Sequence, residues 1–202
     1  MLVTKLTAVQ RTGLYRVHLD GGERLDVDAG SLIEFKLHAG TVLSPADYAA
    51  VRLRSQTIFW TRRCMNKLAR RPQSAAELNR FLSGNKVEAD VQQAVFAKLE
   101  ASSLLDDVAF ADWYTRLSVA KRKSRRVIAY ELFRKGIAKP IAEQAIAHHL
   151  ADDTDQLKAL IVKKRGMSRY RDDTKLAQYL VRKGFQYSDI SRHLKEVPQQ
   201  DY

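Results

Sequence analysis

Ser74-Ala75-Ala76-Glu77-Leu78-Asn79-Arg80-Phe81-Leu82 returns 50 residues later as Ser124-Arg125-Arg126-Val127-Ile128-Ala129-Tyr130-Glu131-Leu132, and 48 residues after that as Asp172-Asp173-Thr174-Lys175-Leu176-Ala177-Gln178-Tyr179-Leu180. Each copy opens on a side chain that can accept a hydrogen bond from an unpaired backbone amide at a helix start. Each then places two apolar residues four apart, Leu78 and Leu82, Ile128 and Leu132, Leu176 and Leu180, so that both lie on one helix face. Ser74 and Glu77 also form a capping box. Self-similarity at this period is the mark of stacked helical units that bury a core against their neighbours.

Around each copy the same pattern extends in both directions. Arg134-Lys135-Gly136-Ile137 and Arg182-Lys183-Gly184-Phe185 follow two of the copies, with glycine suited to the left-handed turn that ends a helix. The first copy reads Ser83-Gly84-Asn85-Lys86-Val87 instead, so its helix is predicted to end earlier. A third helix is expected over 88–100, 140–150 and 188–195, and a first helix over 55–70, 107–121 and 155–164. The fold class is therefore mainly α, with tandem three-helix modules forming a short curved array and a small N-terminal β segment.

That β segment is read from period-two alternation. Val3 to Val9 and Leu14 to Leu19 alternate apolar and polar residues, and Arg24 to Asp28 makes a third short strand. Thr12-Gly13 and Asp20-Gly21-Gly22 sit where hairpin turns are needed. A helical turn follows over 31–37, and Ser44-Pro45 opens the first long helix, with a capping serine and a proline that has no amide to leave unpaired. The boundaries that result are a three-stranded cap over 1–43, a helical linker and first module over 44–105, a second module over 106–152 and a third over 153–202.

Hydrophobic residues make up 45% of the 202, enough for a core, and no run is long and apolar enough for a membrane span. The N-terminus lacks a secretory leader pattern, and the single cysteine, Cys64, excludes an internal disulfide. A soluble cytoplasmic protein is expected. Its formal charge is +12, and the asymmetry is more telling: residues 1–50 carry 5 basic and 6 acidic groups, residues 51–202 carry 30 and 17. A field of that sign suits phosphates or an acidic protein surface.

The cations recur in phase with the repeat. Arg70 and Arg71, then Lys121, Arg122, Lys123, Arg125 and Arg126, then Lys163, Lys164 and Arg165 with Arg169 and Arg171, all fall between the first and second helix of a module. Stacking would align these junctions into a basic stripe able to track a regularly spaced polyanion. Lys and Arg also favour helix C-termini, but Arg125 and Arg126 lie in an opening turn, where the helix dipole disfavours them.

Catalytic constellations are missing from the sequence. It contains no phosphate-binding glycine loop and no His-Glu-x-x-His. His148 and His149 are adjacent rather than four apart, so one helix face is not expected to present both to a metal. Cys64 reads as a small core residue, Asp106 and Asp107 as a helix cap, and Trp60, Phe110, Trp113 and Tyr114 as packing rather than base-stacking platforms. No enzyme activity, cofactor or metal is expected.

Leu104-Leu105-Asp106-Asp107-Val108-Ala109-Phe110-Ala111-Asp112-Trp113-Tyr114 resembles the Leu-Asp-Asp-x-x-Phe-Ala-x-x-Tyr signature of RecX regulatory proteins. Lys123 to Ile128, Glu131 to Ile137, Arg70 to Leu78 and Leu180 to Ile190 are similar to further segments of that family, in order, over about residues 57 to 195. The resemblance implies a monomeric regulator in recombination, DNA repair and the SOS response. Such a regulator lies in the groove of the RecA recombinase filament, touches its single-stranded DNA, and restrains strand exchange and ATP hydrolysis without chemistry of its own. The residues alone leave open a second reading, a stand-alone nucleic-acid-binding helical module.

Overall fold

The structure, a computed structural model, describes residues 1–196. The end of the expected third module, 197–202, lies outside the described residues. Two compact units are present. The first holds residues 1–73 and 78–105, and the second holds 74–77 and 106–202 as far as they are described.

In the first unit, β1 (Val3–Val9), β2 (Leu14–Leu19) and β3 (Arg24–Asp28) form an antiparallel sheet in the order β1-β2-β3, with an irregularity in register between Val3 and Lys5. These are the three strands that the alternation predicts. Gly13 and Gly22 take φ of 69° and 80°, as the hairpin turns require. Helix α1 (Ala29–Glu34) starts two residues before the expected turn because the Asp28 carboxylate accepts a hydrogen bond from the Ser31 amide and so caps it there.

Helix α2 (Pro45–Leu68) is one continuous 24-residue helix where a linker and a separate module helix were expected. Ser44 caps it, its side chain accepting from the Asp47 amide, and no glycine or further proline interrupts the run. Its early turns pack on β3 and it also packs against α4 (Ala89–Ala101). Val51 of α2 is buried with Val3, Val17, Leu25 and Val27 of the sheet, so strands and helix share one core. A second core joins Cys64 of α2 to Leu78 and Leu82 of α3 (Ala75–Gly84) and to Val91, Val95 and Leu99 of α4. Burial pushes the Cys64 thiol above its ordinary pKa, which suits an inert packing residue.

The second unit carries α5 (Asp107–Ala120), α6 (Arg125–Arg134) and α7 (Lys139–His149), then α8 (Thr154–Arg165), a 3-10 turn at Ser168–Tyr170, α9 (Asp173–Arg182) and α10 (Tyr187–Glu196). Each set of three helices closes on its own core. Phe110, Ile128, Leu132, Ile137 and Ile146 form one, and Leu157, Ile161, Leu176, Leu180, Phe185 and Ile190 the other. All three pairs of repeat anchors are fully buried.

Helix α3 does not end early: α3, α6 and α9 are each ten residues long. Lys86 takes the left-handed conformation, φ 56°, at the place that Gly136 and Gly184 occupy. A left-handed lysine costs roughly 1–2 kcal/mol more than glycine there. The burial of Val87 and its amide bond to the Leu82 carbonyl offset that cost.

The first turn of α3 is held by residues far along the chain. Ser74 Oγ donates to the Lys135 carbonyl at 2.6 Å, and the Ala75 amide donates to the Asp107 carboxylate at 2.9 Å. An equivalent bond recurs one repeat later, where the Arg125 amide donates to Asp153 at 2.7 Å. Of the adjacent carboxylates expected to cap α5, Asp106 does so, accepting from the Val108 and Ala109 amides. Asp107 instead caps the start of a helix 32 residues earlier.

Candidate functional site

Between α5 and α6 the chain turns in four residues. Lys121 ends α5, Arg122 adopts a left-handed φ of 55°, Lys123 donates its amide to the Ser118 carbonyl, and Ser124 caps α6 by accepting from the Val127 amide. This turn brings five of the expected cations together and then divides them.

Two of the five face inward. Lys123 Nζ reaches both oxygens of Glu131 at 2.6 and 2.7 Å, and the Tyr114 hydroxyl donates to the same carboxylate at 2.9 Å. Lys135 Nζ lies 5.0 Å from the Tyr114 ring centre and pairs with Glu77 Oε1 at 2.8 Å. Burial and the hydrogen bond to Glu131 push the Tyr114 phenol up to about 12. Arg125 turns its guanidinium to the carbonyls of Leu150, at 2.6 Å, and Ala151, at the end of α7. A cation at a helix C-terminus is favoured by unpaired carbonyls and by the dipole, which explains why an arginine opens α6.

Lys121 and Arg126 are exposed and Arg122 is half-buried. No carboxylate among the described residues pairs with these three. The third cluster divides the same way. Arg165, its side chain 9% exposed, bonds Asp173 and the Leu194 carbonyl, Lys164 lies over the rings of Tyr170 and Tyr179, and Lys163 is exposed. Arg70 and Arg71 belong to the first unit, both exposed, with Arg71 bonded to the Pro72 carbonyl.

Phe110 is fully buried, and Trp60, Trp113 and Tyr114 are half-buried against the cores. The exposed aromatics are others. Tyr130 is 60% and Phe133 74% exposed on α6, and the Arg134 guanidinium lies 6.0 Å from the Tyr130 ring centre. Arg126, Tyr130, Phe133 and Arg134 follow helical spacing on the face away from Ile128 and Leu132. That spacing was available in the sequence, but the anchors drew the reading to the buried face.

The two adjacent histidines converge on one carboxylate. His148 Nδ1 and His149 Nε2 both reach Asp112 Oδ1, at 3.1 and 2.6 Å. The two rings bond through different nitrogens, with α7 ending immediately after His149 and Asp112 approaching from α5. Their hydrogen bonds, His148 first, hold the Asp112 carboxyl below the usual range.

Among the described residues no helix is long and apolar enough to cross a membrane. The family model for the second three-helix domain of RecX matches residues 106–146, the span of α5, α6 and most of α7. A regulatory protein RecX of Limosilactobacillus reuteri strain DSM 20016 is 27% identical over 98% of this chain and 78% of its own length. One from Leuconostoc citreum strain KM20 is 25% identical over 92% of this chain and 72% of its own. A crystal structure of regulatory protein RecX superposes with a TM-score of 0.73 at 25% identity, covering 97% of this chain and 99% of that one. RecX from Lactobacillus salivarius shares the fold, with a TM-score of 0.58 at 24% identity over 70% of this chain and 96% of its own. Domain model, relatives and solved structure agree, and over most of its length the chain is similar to RecX regulatory proteins.

Proposed function

We propose that this chain is a non-enzymatic, cytoplasmic regulator that binds the RecA nucleoprotein filament as a monomer and restrains its recombinase and ATPase activities. In this reading it serves recombination, DNA repair and the SOS response. A strand cap over 1–43 precedes three modules over 44–105, 106–152 and 153–202, and the basic junctions meet the single-stranded DNA within the filament.

The observation that carries the reading is the outer face of α6 with the turn leading into it. Lys121, Arg122 and Arg126 offer charge, and Tyr130 and Phe133 offer exposed rings. Cations neutralise phosphates and aromatic faces stack on unpaired bases, so the combination suits single-stranded nucleic acid. Lys123 and Arg125 support this face from within. The names of the relatives, regulatory proteins all, favour a protein-directed role over a stand-alone nucleic-acid module.

Co-sedimentation with single-stranded DNA, with and without RecA and a slowly hydrolysed ATP analogue, separates the two. Retention only with the filament is expected, and equal retention on bare DNA would overturn the regulator reading. Replacing Lys121, Arg122 and Arg126 together by glutamine should weaken binding and flatten its salt dependence, by up to about 0.7 log unit per lost contact. Wild-type affinity and slope in that variant would place the contact elsewhere.

A further inference from the structure

Asp112 on α5 and the adjacent His148 and His149 at the end of α7 bring three donor atoms within 4.8 Å of one another. None of the three is required by the core. The buried residues of α7 are Ala142, Ala145 and Ile146, and those of α5 are Phe110, Ala111, Thr115 and Ser118. Module packing and the basic face therefore leave this cluster unexplained.

A single oxygen, Asp112 Oδ1, receives both imidazoles. Two ring nitrogens converging on one carboxylate oxygen resemble three corners of a coordination polyhedron. In a tetrahedral site with ligands at about 2.0–2.1 Å, neighbouring ligand atoms are roughly 3.3 Å apart. The observed separations from Asp112 Oδ1, 3.1 and 2.6 Å, approach that, and small side-chain rotations would open the shorter one.

We propose that Asp112, His148 and His149 form a binding site for a divalent transition-metal ion, zinc foremost, with water completing the coordination. Two imidazoles and one carboxylate suit zinc and its neighbours, whereas calcium and magnesium demand more oxygen donors. His149 is 18% exposed and fixes the inner side of the site, while His148 at 72% and Asp112 at 43% leave the outer side open to solvent. A bound ion would pin the last turn of α7 to α5. The next residues, Leu150 and Ala151, carry the carbonyls that hold Arg125, so the pin would also stiffen the base of the basic turn.

Titration of the full chain with zinc chloride by calorimetry, with cobalt(II) absorption as a coordination readout, tests this. Wild type should bind one zinc per chain and melt at a higher temperature with it. Asp112→Asn and His148→Ala should each weaken zinc binding at least about tenfold, the lower end of what losing even a supporting group costs at metal sites. His38→Ala, which removes an exposed histidine elsewhere, should bind like wild type. His148 is mostly exposed, so circular dichroism should find that variant folded. Absence of zinc binding by folded wild type, or unchanged affinity in both Asp112→Asn and His148→Ala, would overturn the proposal.

Discussion

The turns that end α3 and α6 share a geometry and differ in their residue. In both, a residue at positive φ is followed by a buried apolar one, Val87 or Ile137, whose amide donates back to the Leu82 or Leu132 carbonyl. In α3 the left-handed residue is Lys86, exposed; in α6 it is Gly136. A Cβ on Gly136 would stand 2.2 Å from the Cβ of Ala76. At Gly184, the third turn, it would meet Val127 Cγ2 at 2.4 Å and Ser124 Oγ at 2.5 Å. The turn itself tolerates a side chain; the helix packed against it does not. Glycine in the later copies thus records a neighbouring helix start rather than a helix end.

Adding the missing carbon is the harshest test of that difference. Gly136→Ala should lose about 2 to 4 kcal/mol, combining left-handed strain with overpacking against Ala76. Gly184→Ala should lose somewhat less, since a valine methyl and a serine hydroxyl yield more readily than a Cβ. Urea melts of both variants check this, and wild-type midpoints would break the reading of glycine as a contact residue.

A smaller loss is expected within the junction. Lys123→Gln leaves the half-buried Glu131 without its cation and should cost about 1 to 3 kcal/mol, whereas Lys121→Gln on the exposed side should stay within about 0.5. Similar melts for the two would erase the division between supporting and outward cations. At the first turn the sign should reverse. Lys86→Gly relieves left-handed strain at an exposed position and should stabilise by up to about 1 kcal/mol, read from the same urea series.

The subtlest expectation concerns alkali. Tyr114 is held protonated in the fold up to about 12, so its contribution is fully present below the ordinary tyrosine value near 10. That contribution is lost as pH rises through about 12. Tyr48, bonded to Glu23, is raised as well, so tyrosinate absorbance should show Tyr114 ionising last, and Tyr114→Phe should abolish the phase near 12 while keeping the ring. A late phase that persists in Tyr114→Phe would assign it to another tyrosine.

Repeat period, helix faces, strands and the charge asymmetry all follow from local rules, because alternation, i to i+4 spacing and capping are properties of short segments. For that reason the strand limits Val3–Val9, Leu14–Leu19 and Arg24–Asp28 and the anchors Leu82, Leu132 and Leu180 were legible without coordinates. Only tertiary structure could assign partners across 28 to 61 residues: Ser74 with the Lys135 carbonyl, Ala75 with Asp107, Arg125 with Asp153. It also decided which cations of one junction support the fold and which face solvent, and it brought Asp112 between His148 and His149. Sequence spacing places a residue on its own helix, but the environment of its side chain depends on which other helix arrives beside it.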